Sequence, residues 1–224
     1  DFRVIAMSQP GFGESDSPLT AYTTVHEYAR AVTWLLDGLG IAQANVLGGL
    51  TSSLTALEVA AAWPERVERL VLEECFNWNR PDRREALERE HGVAERADGS
   101  HFLSMWERAR NVTLREASDP VEVARLTRRR FLDALRGTWP GPDGVSGQDA
   151  STLALSCYPL WERAPLVQAP TLVVHGSSSA LGRAHDRLLA VIPDSRGIRP
   201  ATSHQFTWRV APELWAAELR AFLA

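Results

Sequence analysis

The chain has 224 residues, 45% of them hydrophobic, with a net charge of −4. That suffices for one globular domain with a sizeable core and room for a subdomain, and no apolar run is long enough to cross a membrane. All 24 cationic side chains are arginines interleaved with carboxylates, which excludes a nucleic-acid patch, and Cys75 and Cys157 make neither a disulfide framework nor a metal spacing.

In chain order, Phe2 to Ala6 is a β-branched run that predicts a strand, followed by the turn-rich loop Pro10-Gly11-Phe12-Gly13-Glu14-Ser15-Asp16. Thr24 to Gly38 predicts a helix: Thr24 can cap it, Glu27 stands three residues on, and Tyr28, Ala31, Val32 and Leu35 form one stripe. His26, in its first turn, reads as a solvated ring. Asn45 to Leu47 predicts a short strand, and Leu54, Leu57 and Val59 repeat at helical spacing beyond it. Gly48 and Gly49 lie between the two, where a sharp strand-to-helix turn demands unusual dihedrals.

Glu68 to Leu72 predicts the next strand, ending at Glu73, Glu74 and Cys75. The two carboxylates stand at a strand's carboxyl end, where an α/β sheet presents its functional edge; they are either two surface acids or part of a site. From Phe76 to Gly147 the alternation stops and charged helical segments take over. Asp82 to Glu90 reads as a polar helix, and Ser100 can cap a second with the stripe Phe102, Leu103, Met105, Trp106 and Ala109. A third runs from Ser118-Asp119-Pro120 to Gly137 through Val121, Val123, Leu126, Phe131 and Leu135. Pro140 to Gly144 is a loop. Ala169 to Gly176 returns to strand, Arg183 to Val191 predicts a helix, Arg196 to Arg199 a weak strand and Pro212 to Leu223 a closing helix. His204 falls in the loop before it.

Four ordered segments carry a resemblance. Gly48-Gly49-Leu50-Thr51-Ser52 is similar to the G-x-S-x-G nucleophile elbow of the α/β-hydrolase superfamily. Leu39-Gly40-Ile41 and Pro64-Glu65-Arg66-Val67 fix its register from both sides. Pro10 to Asp16 is similar to the family's P-G-F-G-x-S-D loop, and Pro170 to Gly176 to its P-T-L-V-V-x-G strand. The resemblance implies an α/β fold: a mostly parallel, doubly wound sheet with a helical cap, whose first strands are missing from this chain. It divides the chain into core over residues 1–75, cap over 76–160 and core again over 161–224.

The resemblance also assigns positions. Leu50 stands where the family has its nucleophile, and an isobutyl group cannot attack a carbonyl. Ser179 stands where it has its acid, and a hydroxyl cannot neutralise an imidazolium by charge. His204 matches its histidine. Leu50, Ser179, Trp106 and Phe102 are expected to line an apolar pocket, with Trp106 and Phe102 in its roof.

Three readings follow. In the first, His204 works as acid or base on a small apolar molecule, oriented by Glu74 or Glu73, in lyase, cyclase or isomerase chemistry without a covalent step. In the second, an ester hydrolase improvises a triad from Thr51, Glu73 or Glu74, and His204. In the third, the fold binds a small ligand and catalyses nothing. None of the three calls for a metal, a cofactor, a nucleic acid or a membrane. The oligomeric state is left open, and a cytoplasmic location is expected.

Overall fold

The computed structural model describes residues 2–79, 96–201, 208 and 211–224. Two compact units divide the chain, one of residues 1–23 with 82–154 and one of residues 24–81 with 155–224. The first 23 residues therefore group with the helical segment.

The larger unit is a four-stranded sheet of β1 (Ala44–Gly49), β2 (Val67–Glu73), β3 (Thr171–Val174) and β4 (Ser195–Ile198), all parallel and in that order. The two central strands carry the buried apolar runs, residues 70–72 of β2 and 172–174 of β3, because a parallel sheet is covered on both faces, whereas the outer strands β1 and β4 are partly exposed. Register aligns Gly49, Glu73, Val174 and Ile198 in one row, so the carboxyl ends of the strands form a common edge.

Helices α1 (Val25–Gly38) and α2 (Ser52–Ala62) follow the early part of the chain, and α2 packs on β1 and β2. Between Leu54 and Ala60 every residue of α2 is buried. Helix α7 (His185–Val191) covers β3 and β4 on the same face, since Gly48 lies against Ala56 and Gly197 against His185 and Leu189. Helix α8 (Pro212–Leu223) covers the opposite face, where its Trp215 packs on Val71, Leu172 and Val174. This two-sided cover is the doubly wound arrangement that the resemblance implied. Strand β1 lies at the sheet edge, and Leu47, on the α8 face in line with Val71, is 49% exposed.

The smaller unit holds α3 (Ser100–Thr113), α4 (Pro120–Gly137) and most of α5 (Gly147–Ser156). Asp119 caps α4 by accepting from the Glu122 amide, and Arg130 ties α4 to α3 through Thr113 and Glu116. A four-residue turn, α6 (Leu160–Arg163), leads back into the sheet.

The capping box at Thr24 and Glu27 forms as expected, as does the closing helix over Pro212 to Leu223. Other expectations change. Phe2 to Ala6 is not a strand: no neighbouring ladder receives it among the described residues, and Val4 is 85% exposed. In α1 the buried residues are Val25, Tyr28, Ala29, Ala31, Thr33 and Leu36, so Tyr28 and Ala31 of the predicted stripe are buried while Val32 and Leu35 are half-buried. In α3 the buried residues are His101, Ala109 and Thr113, while Phe102 and Leu103 face solvent. The predicted helix over Asp82 to Glu90 lies outside the described residues.

His26 keeps its contact with solvent, its side chain 44% exposed, but it is not without partners. It hydrogen bonds Glu58 at 2.9 Å and stacks on Trp63 at 4.8 Å. Glu58 is buried on α2 and also accepts from the Tyr158 hydroxyl at 2.9 Å and from Arg163 through two bonds of 2.8 and 3.0 Å. A buried carboxylate persists only with such a full set of donors. In return, the hydrogen bonds to Glu58, helped by its charge, raise the pKa of Arg163.

Candidate active site

The edge of the sheet is built first at the end of β1. Gly48 has no room for a side chain: a Cβ there would collide with the Ser52 carbonyl oxygen and meet the Ala56 methyl at 2.8 Å. The chain can turn sharply only because that atom is absent. The Ser52 hydroxyl then locks the turn, accepting from the Gly49 amide at 3.0 Å and donating to the Gly49 carbonyl at 2.8 Å. Leu50 follows with φ +54, a left-handed backbone that non-glycine residues seldom adopt. Its amide donates to the Glu73 carbonyl at 2.9 Å, which joins the turn to β2. Its carbonyl accepts from the Ser53 hydroxyl at 2.5 Å. Thr51 is exposed at the start of α2, and its hydroxyl makes no capping bond.

The second component is the end of β2. Glu73 and Glu74 are both buried, not surface acids, at 1% and 0% exposure. Glu74 has φ +51, and its amide donates to the Val174 carbonyl at 2.8 Å. This turns its side chain toward the segment that follows β3. There the Gly176 amide donates to Glu74 Oε1 at 2.7 Å and the Ser179 hydroxyl to Oε2 at 2.5 Å. Ser179 in turn accepts from the Leu181 amide at 3.2 Å. Burial raises the pKa of Glu74, and the bonds from Ser179 and Gly176, with the nearby Arg199 charge, act in the opposite direction.

A third component escaped sequence reasoning. His175, fully buried at the end of β3, has its Nε2 2.9 Å from the Cys75 carbonyl and its Nδ1 3.0 Å from Nδ1 of His185. Burial lowers the pKa of both rings. The Cys75 thiol is pushed up to about 12 by burial, which keeps it a thiol at neutral pH. The two histidines are ten residues apart and belong to different elements, so no sequence spacing announces the pair. Among the described residues no group of three or more histidine, cysteine or carboxylate side chains could hold a metal.

Of the residues singled out from sequence, the structure joins Glu74 to Ser179 and links Leu50 to the end of β2 through the Glu73 carbonyl. Trp106 belongs to the smaller unit and packs edge-on against Phe131 at 5.6 Å. Phe102, in the same unit, is 45% exposed beside His101. His204 lies outside the described residues.

A family model described as alpha/beta hydrolase fold matches residues 1–206. Over 71 residues, 32% of this chain and 25% of the relative, the sequence is 35% identical to a 2-hydroxy-6-oxononadienedioate/2-hydroxy-6-oxononatrienedioate hydrolase of Klebsiella pneumoniae. Over the same shares it is 38% identical to a 2-hydroxy-6-oxo-6-phenylhexa-2,4-dienoate hydrolase of Comamonas testosteroni. The chain thus spans about a quarter of the length of these curated relatives. Among solved structures, the enol-lactonase from Burkholderia xenovorans superposes with a TM-score of 0.69 at 22% identity, over 96% of this chain and 78% of that one. A thermophilic esterase from Thermogutta terrifontis superposes with a TM-score of 0.73 at 22% identity, over 96% and 77%. At that identity the likeness is one of fold.

Proposed function

Because the chain belongs to the α/β-hydrolase fold family, we propose that it is a member in which the covalent step is lost while an acid–base pair, Glu74 with His204, is kept. Fold alone would not carry this, since one fold hosts many chemistries. The observation that carries it is the Glu74 carboxylate, hydrogen bonded to the hydroxyl of Ser179, the residue at which the family pattern has its acid. A carboxylate from the neighbouring strand end thus stands beside the substituted position. Leu50 supports the same reading from the other side. The elbow keeps its left-handed backbone yet presents a side chain with no nucleophilic atom.

In this reading neutral His204 takes a proton from the carbon beside a carbonyl of a small apolar substrate. Glu74 orients the ring and balances the charge of the imidazolium that forms. Histidine suits the step because its ordinary pKa of about 6.5 is close to working pH, and positioned general bases contribute about 10²–10⁴-fold. The relatives and structural neighbours include hydrolases named for oxo acids and an enol-lactonase, whose substrates are carbonyl compounds. That supports a carbonyl compound as the substrate class here.

The test is proton exchange. The full chain is incubated with a panel of small alkyl and aryl methyl ketones in deuterated water, and loss of the proton signal beside the carbonyl is followed by NMR. Exchange is expected, reduced at least about 10²-fold by His204→Ala and less by Glu74→Gln. Hydrolysis of a nitrophenyl ester by the wild type that disappears in His204→Ala would overturn the reading in favour of a hydrolase with Thr51 as nucleophile. No turnover of either kind would leave a binding protein.

A further inference from the structure

We infer that His175 and His185 form one proton-sharing pair that positions Glu74, holding together the two turns between which its carboxylate is fixed. The first turn is the end of β2, where Glu74 is followed by Cys75. The second is the segment after β3, where Gly176 and Ser179 donate to the two Glu74 oxygens. His175 spans the gap between them. One ring nitrogen reaches the Cys75 carbonyl at 2.9 Å, and the other reaches His185 on α7 at 3.0 Å.

The protons on this chain are determined by its ends. A carbonyl oxygen only accepts, so His175 Nε2 carries the hydrogen. Neutral His175 then has a bare Nδ1, and the facing Nδ1 of His185 must donate to it. His185 is thereby held as the Nδ1–H tautomer with Nε2 bare. That Nε2 lies against Gly197, where a Cβ would come within 2.5 Å of it. The first proton taken up on acidification goes to this bare nitrogen and leaves both hydrogen bonds standing. A second proton would bring two N–H groups face to face across the 3.0 Å contact and break the pair.

The groups around the rings agree with this order. On His185, burial, the charge of His175 and Arg199 oppose protonation, while Asp186 on its own helix and Glu74 at the end of β2 favour it. On His175, burial and Arg199 oppose protonation, while the bond to Cys75 favours it. Cys75, as a thiol, adds no charge. His185 therefore takes the first proton, and the resulting cation lies on the side of Glu74.

The inference rests on Glu74 being the acid of the site, and its test does not use turnover. The full chain is labelled with ¹⁵N in the histidine rings and ¹³C in the glutamate carboxyls, with His175→Gln and His185→Gln used for assignment. At pH 7.5 the expected result is His175 as the Nε2–H tautomer and His185 as the Nδ1–H tautomer, with N–N coupling resolved across their shared hydrogen bond. On acidification the Glu74 carboxyl signal should move in step with His185. In His185→Gln its midpoint should rise by about half a pH unit or more, because a nearby cation is gone. Two Nε2–H rings without coupling would overturn the inference, using wild-type protein alone. So would a Glu74 midpoint unchanged in a folded His185→Gln. Failure of the function reading would appear elsewhere, as turnover indifferent to Glu74→Gln, with these signals intact.

Discussion

Neither leucine nor glutamate gains anything locally from a left-handed backbone, yet Leu50 has φ +54 and Glu74 φ +51, at the ends of adjacent strands. Each conformation costs on the order of 1 kcal/mol and is held by an amide hydrogen bond donated to a carbonyl of the next strand. At Glu74 the ionisation adds a second cost that depends on pH. Its folded pKa is raised, chiefly by burial, so the folded state binds the proton more tightly than the unfolded chain does. The stability associated with this group is greatest below the ordinary carboxylate range near 4.5 and is lost as pH rises through that range toward the folded pKa. Glu74→Gln removes the charge and keeps an acceptor for the Gly176 amide. Urea unfolding between pH 4 and pH 7 should show the wild type losing stability relative to Glu74→Gln as pH rises. A constant difference across that range would show that Glu74 ionises as easily in the fold as outside it.

At the scale of elements, the strand-to-helix turn after β1 depends on one glycine more than the other. A Cβ at Gly48 runs into the backbone of Ser52, which cannot step aside, whereas one at Gly49 meets only the Glu73 side chain at 3.4 Å. Gly48→Ala should cost about 3 kcal/mol or more and Gly49→Ala less than about 1 kcal/mol, read from denaturant midpoints. Equal effects would remove the close approach of α2 to β1 as the reason for Gly48. This turn was legible in the sequence because its cause is local: two glycines between an apolar strand and a periodic helix. The central strands β2 and β3 were legible for a similar reason, as short apolar runs with little alternation. What could not be read depends on partners distant in sequence. Phe2 to Ala6 has the composition of a strand and no ladder to join. His26 gave no sign that α2 would bring Glu58 to its ring, nor Glu74 that its oxygens would be held by residues more than a hundred positions away. The His175–His185 pair needs β3 and α7 to be packed together before it exists.

For the molecule as a whole, parallel pairing gathers separate parts of the chain along one edge: the Leu50 turn after β1, Glu74 after β2, and Gly176 with Ser179 after β3. The proposed function takes Glu74 at this edge as the acid, His204 as the base, and Leu50 as the position without a nucleophile. Leu50→Ser tests it most directly, because it places a hydroxyl at the left-handed position in exchange for the isobutyl group. Hydrolysis of a short-chain nitrophenyl ester by the full chain is measured in the wild type, in Leu50→Ser, and in Leu50→Ser combined with His204→Ala or Glu74→Gln. The account predicts a rise of at least about 10²-fold in Leu50→Ser, abolished by His204→Ala and reduced by Glu74→Gln, since members of a catalytic unit act together. A folded Leu50→Ser no faster than the wild type, or a gain that survives both second substitutions, would contradict it.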